Sequence, residues 1–255
     1  MPAEPDLTDD LALGGRLRLL QPRRGHRFGH DAILLAAATP AIAGDRVADL
    51  GAGVGTAGLA LAVRVDGARV TLVEIDARLA ALAGENAMRN SLAGRVDAVA
   101  LDIAAPLDAF AAAGLAAESC DIVMMNPPFH DAGKLQASPD ACRRRAHEIE
   151  AAKLTDWAAA ARRLLRPGGV LTLIFRADGL PALLDLVDGF GGVTVMPVHP
   201  KPGAPAIRVL LAALKGSRAP FAIREGLVLA GSDGTPTART EAILRQGQAL
   251  DLVER

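Results

Sequence analysis

Short apolar runs alternate with longer alanine- and leucine-rich stretches through most of the chain. Short runs bounded by turn residues are typical of buried parallel strands, and the stretches between them have helical length. The runs predict strands at 46–50, 69–74, 96–101, 121–125, 170–175, 193–198 and 207–214. The intervening stretches predict helices at 32–38, 56–63, 77–90, 106–117, 154–165 and 182–188. Strands that alternate with helices imply an α/β protein with a mostly parallel sheet and helices on both faces.

The two ends of the chain depart from this alternation. Residues 1–10 have no periodic pattern, and 11–20 carry two alternating apolar runs around Gly14-Gly15, which predicts a hairpin. Only the segment 199–205, rich in proline and glycine, separates the last two strands, so we expect an antiparallel hairpin at one edge of the sheet. We therefore divide the chain into an N-terminal hairpin and helix extension (1–40), a central domain (41–218) and a C-terminal appendage (219–255).

Composition limits the kinds of partner that the chain can have. Its 255 residues suit one large α/β domain with small extensions. The formal net charge is −1, so the overall field does not mark a nucleic-acid binder and any polyanion site must be local. Basic clusters lie at 23–27, 143–145 and 215–218, and each also suits a solvated surface.

Several classes of protein are disfavoured by particular residues. Cys120 and Cys142 give neither a disulfide framework nor metal-ligand spacing, so no metal is expected. The acidic, proline-containing amino terminus does not resemble a signal peptide. Pro40 and Gly44 interrupt the apolar stretches well before the ~20 residues that a membrane span needs. We expect a cytoplasmic protein without membrane association.

Acidic residues mark three successive strand ends. Asp49 precedes a glycine-rich turn at 51–55, where the backbone of glycine lets a ligand approach closely and the next helix offers free N–H groups. Glu74 ends the second strand, where a carboxylate can bind both hydroxyls of a ribose. Asp102 follows the third strand and can accept a hydrogen bond from the exocyclic amine of an adenine ring. The combination predicts a nucleoside-containing cofactor.

A dinucleotide site is the alternative for the same turn. Gly53, Gly55 and Gly58 match the dinucleotide spacing, but the first glycine after the strand is Gly51, and from there Thr56 stands where a third glycine is required. The carboxylate of Asp49 also suits an amino group, whereas it would repel a pyrophosphate.

The residues Asn126-Pro127-Pro128-Phe129 follow the fourth strand directly. Proline fixes its own φ and donates no hydrogen bond, so two in succession form a stiff turn that holds Asn126 extended. The Asn126 side-chain oxygen and the Pro127 carbonyl can accept both N–H groups of a planar amine, which frees its lone pair. Phe129 can stack on a planar acceptor; such stacking is worth ~1–3 kcal/mol per base, against a few kcal/mol to unstack the base.

Together these motifs, DLGAGVG from Asp49, VEID around Glu74, the third-strand Asp102 and NPPF from Asn126, resemble the Rossmann-like S-adenosylmethionine-dependent methyltransferases that methylate amino nitrogens. The resemblance covers about residues 45–215. It implies a seven-stranded Rossmann-like methyltransferase fold, S-adenosyl-L-methionine as cofactor, Asp49 at the methionine amino group and Glu74 at the ribose. The catalytic residues it implies are Asn126, Pro127, Pro128 and Phe129. The cofactor-binding residues it implies are Gly29, Asp31, Asp49, Gly51, Ala52, Gly53, Glu74, Ile75, Asp102, Ile103 and Asn126.

The segment 25–35 points to one group within these methyltransferases. It is similar to the segment before the cofactor domain in bacterial tRNA adenine-N6 methyltransferases that act on a valine tRNA, with Asp31 followed by Ile33-Leu34-Leu35. This implies that Gly29 and Asp31 lie near the methionine end of the cofactor. Asp31 is also a plausible N-cap of the following helix, and both roles are compatible. Phe129 departs from this family, which often has tyrosine at that position.

The substrate is expected to be an RNA, specifically a tRNA. Three arginines lie on the loop after the catalytic turn, where a polyanionic acceptor would pass: Arg143, Arg144 and Arg145. A flexible charged loop is the alternative for these three, and four further cations can extend the patch: Lys201, Arg208, Lys215 and Arg218.

The motifs leave the acceptor open between adenine N6, guanine N2 and the glutamine side-chain amide. The leading hypothesis is methyl transfer to an exocyclic base amine of RNA, adenine N6 in tRNA. A protein glutamine-N5 methyltransferase and an rRNA guanine-N2 methyltransferase are the alternative enzymes. A non-catalytic module that binds the cofactor or RNA is the alternative from another class, and intact Asn126 and Asp49 argue against it.

Overall fold

The computed structural model describes residues 6–24, 29–128 and 154–253. The strands are β1 (Leu7–Ala12), β2 (Leu17–Pro22), β3 (Arg46–Leu50), β4 (Arg69–Glu74), β5 (Val96–Ala100), β6 (Cys120–Met125), β7 (Leu165–Arg176), β8 (Phe190–His199), β9 (Arg208–Lys215), β10 (Ala222–Ile223) and β11 (Leu227–Val228). The helices are α1 (His30–Ala38), α2 (Thr56–Arg64), α3 (Ala77–Arg89), α4 (Leu107–Ala112), α5 (154–164), α6 (Leu180–Leu186) and α7 (Ala238–Gln246). None of these helices combines the length and apolar character needed to cross a membrane.

One large sheet organises the described part of the chain. Its order is β10-β8-β9-β7-β6-β3-β4-β5, and β11 also pairs with β8. The strands from β3 to β7 are parallel, and β9 runs antiparallel to both β7 and β8. The predicted mostly parallel seven-stranded sheet with an antiparallel edge hairpin is confirmed. The short strands β10 and β11 extend that sheet beyond the prediction.

Buried apolar residues form one layer on each face of the sheet. One layer joins α1, α2, α3 and α7 to the sheet, and the other joins α4, α5 and α6 to it. Alternate residues of a strand point to opposite faces, so Met124 of β6 lies in the first layer and Met125 in the second. Strands buried on both faces explain why the apolar runs in the sequence are continuous rather than alternating.

Both chain extensions pack on the first of these layers. The hairpin β1–β2 contributes Leu17 and Leu19, and the C-terminal segment contributes Ile243 and Leu252. The Leu250 N–H donates to the carbonyl of Ala37 in α1 at 2.8 Å. The C-terminal segment therefore covers α1, whereas strand β2 of the hairpin packs on α2 and α3.

Some element boundaries differ from the sequence predictions. Strand β1 begins at Leu7, within the region expected to lack regular structure, because it pairs along its whole length with β2. Helix α4 ends at Ala112 rather than at 117, since Gly114 with φ +82° leaves the helical conformation. The turn predicted at 166–169 belongs to β7, where the pairing with β6 is irregular and Gly168 has φ +73°.

The predicted N-cap of α1 is also wrong. The N-cap position is Gly29, which has an extended backbone and no side chain to cap the helix. Asp31 lies inside the first turn of α1, and its carboxylate pairs with Arg208 instead.

Candidate active site

Strand register places the segments that follow β3, β4 and β6 side by side at the carboxyl edge of the sheet. Leu50 of β3 lies opposite Val73 of β4 on one side and Met125 of β6 on the other. The residues that follow these three are Gly51, Glu74 and Asn126, so they lie side by side at this edge. Ligands of open α/β sheets bind at this edge, where the strand order reverses.

The glycine turn after β3 is closed on one side and open on the other. Gly51 has φ +68°, and a Cβ atom there would lie 2.3 Å from Cη2 of Trp157 in α5. Gly53 has φ +58°, and a Cβ atom there would have open space around it. The Ala52 N–H donates to the Val73 carbonyl at 2.9 Å and so fixes the turn to β4. The turn is thus open on the side of Gly53, where the sequence predicts a ligand.

Glu74 holds the same turn from the neighbouring strand. The residue is almost buried, at 9% exposure. Its Oε2 accepts from the Gly53 N–H at 2.8 Å, and its Oε1 accepts from the Asp76 N–H at 2.9 Å. The next side chain, Ile75, is 67% exposed. An exposed isoleucine beside a buried carboxylate gives the edge an apolar surface next to a polar one.

Asp102 and Ile103 follow β5 further along this edge. Asp102 is exposed, and its Oδ1 accepts from the Ala104 N–H at 2.9 Å. Ile103 is partly buried against the second apolar layer. Asp102 is therefore oriented by its own loop.

Asp49 lies beneath the turn rather than on its surface. Only 2% of the residue is exposed, and Oδ2 accepts from the Gly58 N–H in α2 at 2.9 Å. Burial raises the pKa of Asp49 to about 7; the Gly58 hydrogen bond opposes this rise, and the nearby Glu74 charge adds to it. A carboxyl group with this pKa changes its charge close to neutral pH.

Asn126 lies directly after β6, and one of its side-chain atoms has an unusual environment. Its side-chain oxygen is buried and has no hydrogen-bond partner among the described residues. A buried acceptor left without a donor costs about 1–3 kcal/mol, so such atoms are rare in folded proteins. Pro127 is buried and Pro128 is exposed. The fourth motif residue, Phe129, lies outside the described residues.

Gly29 and Asp31 lie at the same edge of the sheet, beside β9. The Asp31 carboxylate pairs with the Arg208 guanidinium at 2.9 Å (Oδ2 to Nε). Arg208 lies opposite Arg176, the last residue of β7, which runs parallel to β6. The amino end of α1 thus lies near the strand end that carries Asn126.

The predicted basic patch is only partly assembled at this edge. Lys215 lies at the opposite end of β9, where it donates to the Glu118 carboxylate and to the carbonyls of Arg162 and Leu165, so its prediction as a patch residue is wrong. Arg208 is paired with Asp31, and Lys201 is exposed in the segment between β8 and β9. Arg218 lies beside Gly191 at the start of β8, at the same opposite end as Lys215, so its prediction as a patch residue is wrong too. Arg143, Arg144 and Arg145 lie outside the described residues. Within the described ranges, no cluster of three or more His, Cys, Asp or Glu side chains has the arrangement of a metal site.

Two residues at the site have no predicted role. Gly58 supplies the N–H that binds Asp49, and a Cβ atom there would lie 2.3 Å from Leu72, so a small residue is required. Trp157 covers Gly51. It is the chain's single tryptophan in an aromatic-poor sequence, and this rarity is the signal that marks it.

Comparison with known proteins finds a family whose model matches most of this chain. The model of the family described as methyltransferase small domain matches residues 28–200. A tRNA1(Val) (adenine(37)-N6)-methyltransferase of Bacteroides fragilis is 30% identical over 188 residues, which is 72% of this chain and 76% of that protein. A release factor glutamine methyltransferase of Chlorobaculum tepidum is 30% identical over 157 residues, which is 59% of this chain and 52% of that protein.

A solved structure shares the fold over nearly its whole length. It is that of a predicted O-methyltransferase from Agrobacterium tumefaciens, with a TM-score of 0.72 and 30% sequence identity. The match covers 86% of this chain and 97% of the Agrobacterium chain.

Proposed function

We propose that this chain, which belongs to the methyltransferase small-domain family, methylates adenine N6 of a tRNA with S-adenosylmethionine as methyl donor. The observation that carries the acceptor chemistry is the buried Asn126 side-chain oxygen directly after β6, which has no hydrogen-bond partner among the described residues. The similarity to tRNA1(Val) (adenine(37)-N6)-methyltransferases supports adenine in tRNA as the acceptor, and a tRNA acceptor supports action in the cytoplasm.

The carboxyl edge of the sheet fits a cofactor of this kind. Open space at Gly53 admits a ligand against the backbone, and Glu74 lies beside it with each oxygen held by one backbone N–H. We assign the ribose hydroxyls to Glu74 and the adenine ring to the surface formed by Ile75, Asp102 and Ile103. S-adenosylmethionine supplies, when bound, a methyl group that its sulfonium already activates, so the protein has to position and desolvate the acceptor.

The methionine end of the cofactor is assigned to the other side of the turn. Asp49 provides a carboxylate close to the glycine backbone, and a bound amino group would favour its ionised form. Gly29 and Asp31 at the start of α1 are assigned to the same end, where the first turn of a helix offers N–H groups to a carboxylate.

Asn126 and Pro127 are assigned to bind the amino group that accepts the methyl group. The exocyclic amine of adenine is conjugated with the ring and is therefore planar and weakly nucleophilic. Its two N–H groups can donate to the Asn126 oxygen and the Pro127 carbonyl, which favours a pyramidal nitrogen with a free lone pair. No strong base is needed, because the proton leaves after the methyl group has been transferred. Phe129 is assigned to stack on the base.

A nitrogen acceptor suits the turn better than an oxygen acceptor. An amino group offers two N–H donors to two acceptors, whereas a hydroxyl group offers one donor and needs its proton removed. A glutamine side-chain amide also offers two N–H donors, and the similarity to a release factor glutamine methyltransferase keeps it as the second candidate. An RNA substrate additionally requires cations for the phosphates, and we assign this to Arg143, Arg144 and Arg145.

Methyl transfer to a panel of acceptors tests the proposal. The purified chain is incubated with methyl-labelled S-adenosylmethionine and with total tRNA, rRNA or a release factor, each prepared without prior methylation, and Asn126→Ala is the control. Mass spectrometry of the digested tRNA is expected to find N6-methyladenosine that the control does not produce. Label in N2-methylguanosine or in N5-methylglutamine instead would replace adenine with guanine or protein glutamine as the acceptor.

A further inference from the structure

One asparagine connects the N-terminal hairpin to the glycine turn. Asn86 of α3 is fully buried, with 0% of its surface exposed. Its Oδ1 accepts from the Leu20 N–H at 2.8 Å, and its Nδ2 donates to the Leu20 carbonyl at 2.9 Å. The same Nδ2 donates to the Val54 carbonyl at 3.0 Å. Leu20 belongs to β2, whereas Val54 lies between Gly53 and Gly55 in the turn after β3.

A second asparagine binds the hairpin without reaching the turn. Asn90, directly after α3, accepts from the Arg18 N–H at 2.9 Å and donates to the Arg18 carbonyl at 2.7 Å. Its Nδ2 also donates to the Asn86 carbonyl at 2.7 Å. Asn86 and Asn90 lie one helical turn apart, so their carboxamides take the place of a neighbouring strand along β2, whose other edge pairs with β1. The two side chains differ in one respect: of the two, Asn86 alone also donates to the Val54 carbonyl in the glycine turn.

We propose that Asn86 is a positioning residue for cofactor binding, which holds the glycine turn in its binding conformation through the Val54 carbonyl. This inference rests on the proposed function. Val54 is flanked by Gly53 with φ +58° and Gly55 with φ +87°, and glycines lose more backbone freedom on ordering than any other residue. A turn that is already ordered in the free protein loses no further backbone freedom when the ligand binds, so the affinity for the ligand is higher.

The hairpin determines which way the Asn86 carboxamide faces. In the observed orientation, the oxygen meets the Leu20 N–H and the NH₂ group meets the carbonyls of Leu20 and Val54. A flipped carboxamide would place its NH₂ group against the Leu20 N–H and its oxygen against the carbonyls of both Leu20 and Val54, which gives one donor–donor contact and two acceptor–acceptor contacts. The buried Asn86 side chain therefore links the N-terminal hairpin to the glycine turn.

Two alanine variants separate positioning of the turn from attachment of the hairpin. Asn86→Ala removes the hydrogen bonds to Leu20 and Val54, whereas Asn90→Ala removes only those to Arg18 and the α3 backbone. For each variant, calorimetry gives the Kd of S-adenosylhomocysteine, and thermal unfolding gives the Tm. We expect Asn86→Ala to raise the Kd about tenfold, the equivalent of one lost hydrogen bond, while kcat at saturating cofactor changes by less than about twofold. Asn90→Ala is expected to lower the Tm and leave the Kd unchanged.

Equal Kd values in the two variants would overturn the inference, because attachment of the hairpin would then be the whole effect. If Asn86→Ala does not fold, the native protein provides the test by nuclear magnetic resonance. Saturating S-adenosylhomocysteine is expected to shift the side-chain amide signals of Asn86 and not those of Asn90, and unchanged Asn86 signals would again overturn it. A native protein that does not bind S-adenosylhomocysteine would instead remove the proposed function.

Discussion

The carboxylate of Glu74 accepts the Gly53 N–H at 2.8 Å, so the end of β4 holds the turn that follows β3. The second oxygen of this carboxylate is held by the Asp76 N–H at 2.9 Å. A carboxylate oxygen has lone pairs for more than one donor, so both oxygens can still accept from a ligand. Glu74 therefore has two tasks, which are to fix the turn and to offer oxygens to a diol.

Glu74→Gln is expected to weaken the binding of S-adenosylhomocysteine by about 10- to 100-fold, since hydrogen bonds to a charged group are worth about 1.5–3 kcal/mol. The substituted amide keeps one oxygen and turns the other into a donor, which faces the N–H of either Gly53 or Asp76. Isothermal calorimetry gives the affinity. Glu85→Gln, on the exposed side of α3, is the matched control and is expected to bind as the native chain does. Equal affinities in both variants would remove Glu74 from the cofactor site.

Two glycines of the turn are expected to respond differently to alanine. Gly51→Ala places a Cβ atom 2.3 Å from Trp157 at φ +68°, so both a clash and backbone strain follow, and the free energy of unfolding should fall by more than about 2 kcal/mol. Gly53→Ala has the strain of φ +58° without a clash, about 1 kcal/mol. Its Cβ atom instead occupies the open side, so the main effect should be on cofactor affinity.

Urea denaturation and calorimetry on the two glycine variants measure these effects separately. We expect Gly51→Ala to lose more stability than Gly53→Ala. Relative to its smaller loss of stability, Gly53→Ala is expected to lose more affinity for S-adenosylhomocysteine. An affinity for S-adenosylhomocysteine that Gly53→Ala leaves unchanged would place the ligand away from this turn.

The sequence predicted the sheet well because its central strands, such as β3, β6 and β7, are buried on both faces. The runs at 46–50 and 69–74 match β3 and β4 residue for residue, and polar residues at their ends marked the carboxyl edge. Contacts between segments that are distant along the chain could not be predicted from the sequence. No periodic pattern connects Asn86 with Val54 or places Trp157 over Gly51, because such contacts depend on how helices pack across the sheet. Local motifs thus predict the position of a site, whereas its supporting contacts depend on the tertiary structure.

The buried Asp49 should make stability depend on pH in an identifiable window. Its pKa is about 7 in the folded protein, against about 3.9 in an unfolded chain. Between these values the folded state keeps a proton that the unfolded state has released, so the free energy of unfolding falls as pH rises. The slope is at most about 1.4 kcal/mol per pH unit, and it levels off above pH 7.

Urea unfolding of the cofactor-free protein at pH 5, 6, 7 and 8 measures this dependence, with Asp49→Asn as the comparison. The difference in stability between the native chain and Asp49→Asn is expected to shrink or reverse as pH rises towards 7. A bound amino group favours the ionised carboxylate, so cofactor affinity should rise over the same range in the native chain alone. Parallel pH profiles for the two proteins would show that Asp49 does not titrate in this window.

Asn126→Ala is expected to remove catalysis without destabilising the fold. Loss of one preorganised hydrogen-bonding group at a reacting centre typically lowers kcat by ~10²–10³-fold. The side-chain oxygen has no partner among the described residues, so its removal relieves a buried unsatisfied acceptor, and the Tm should stay equal or rise. Single-turnover methyl transfer and thermal unfolding measure the two quantities, and calorimetry should give an unchanged Kd for S-adenosylhomocysteine. A variant that loses stability together with activity would mean that Asn126 chiefly terminates β6. Retained stability with lost turnover would instead identify an acceptor that has no partner within the described ranges because the substrate amine is its partner.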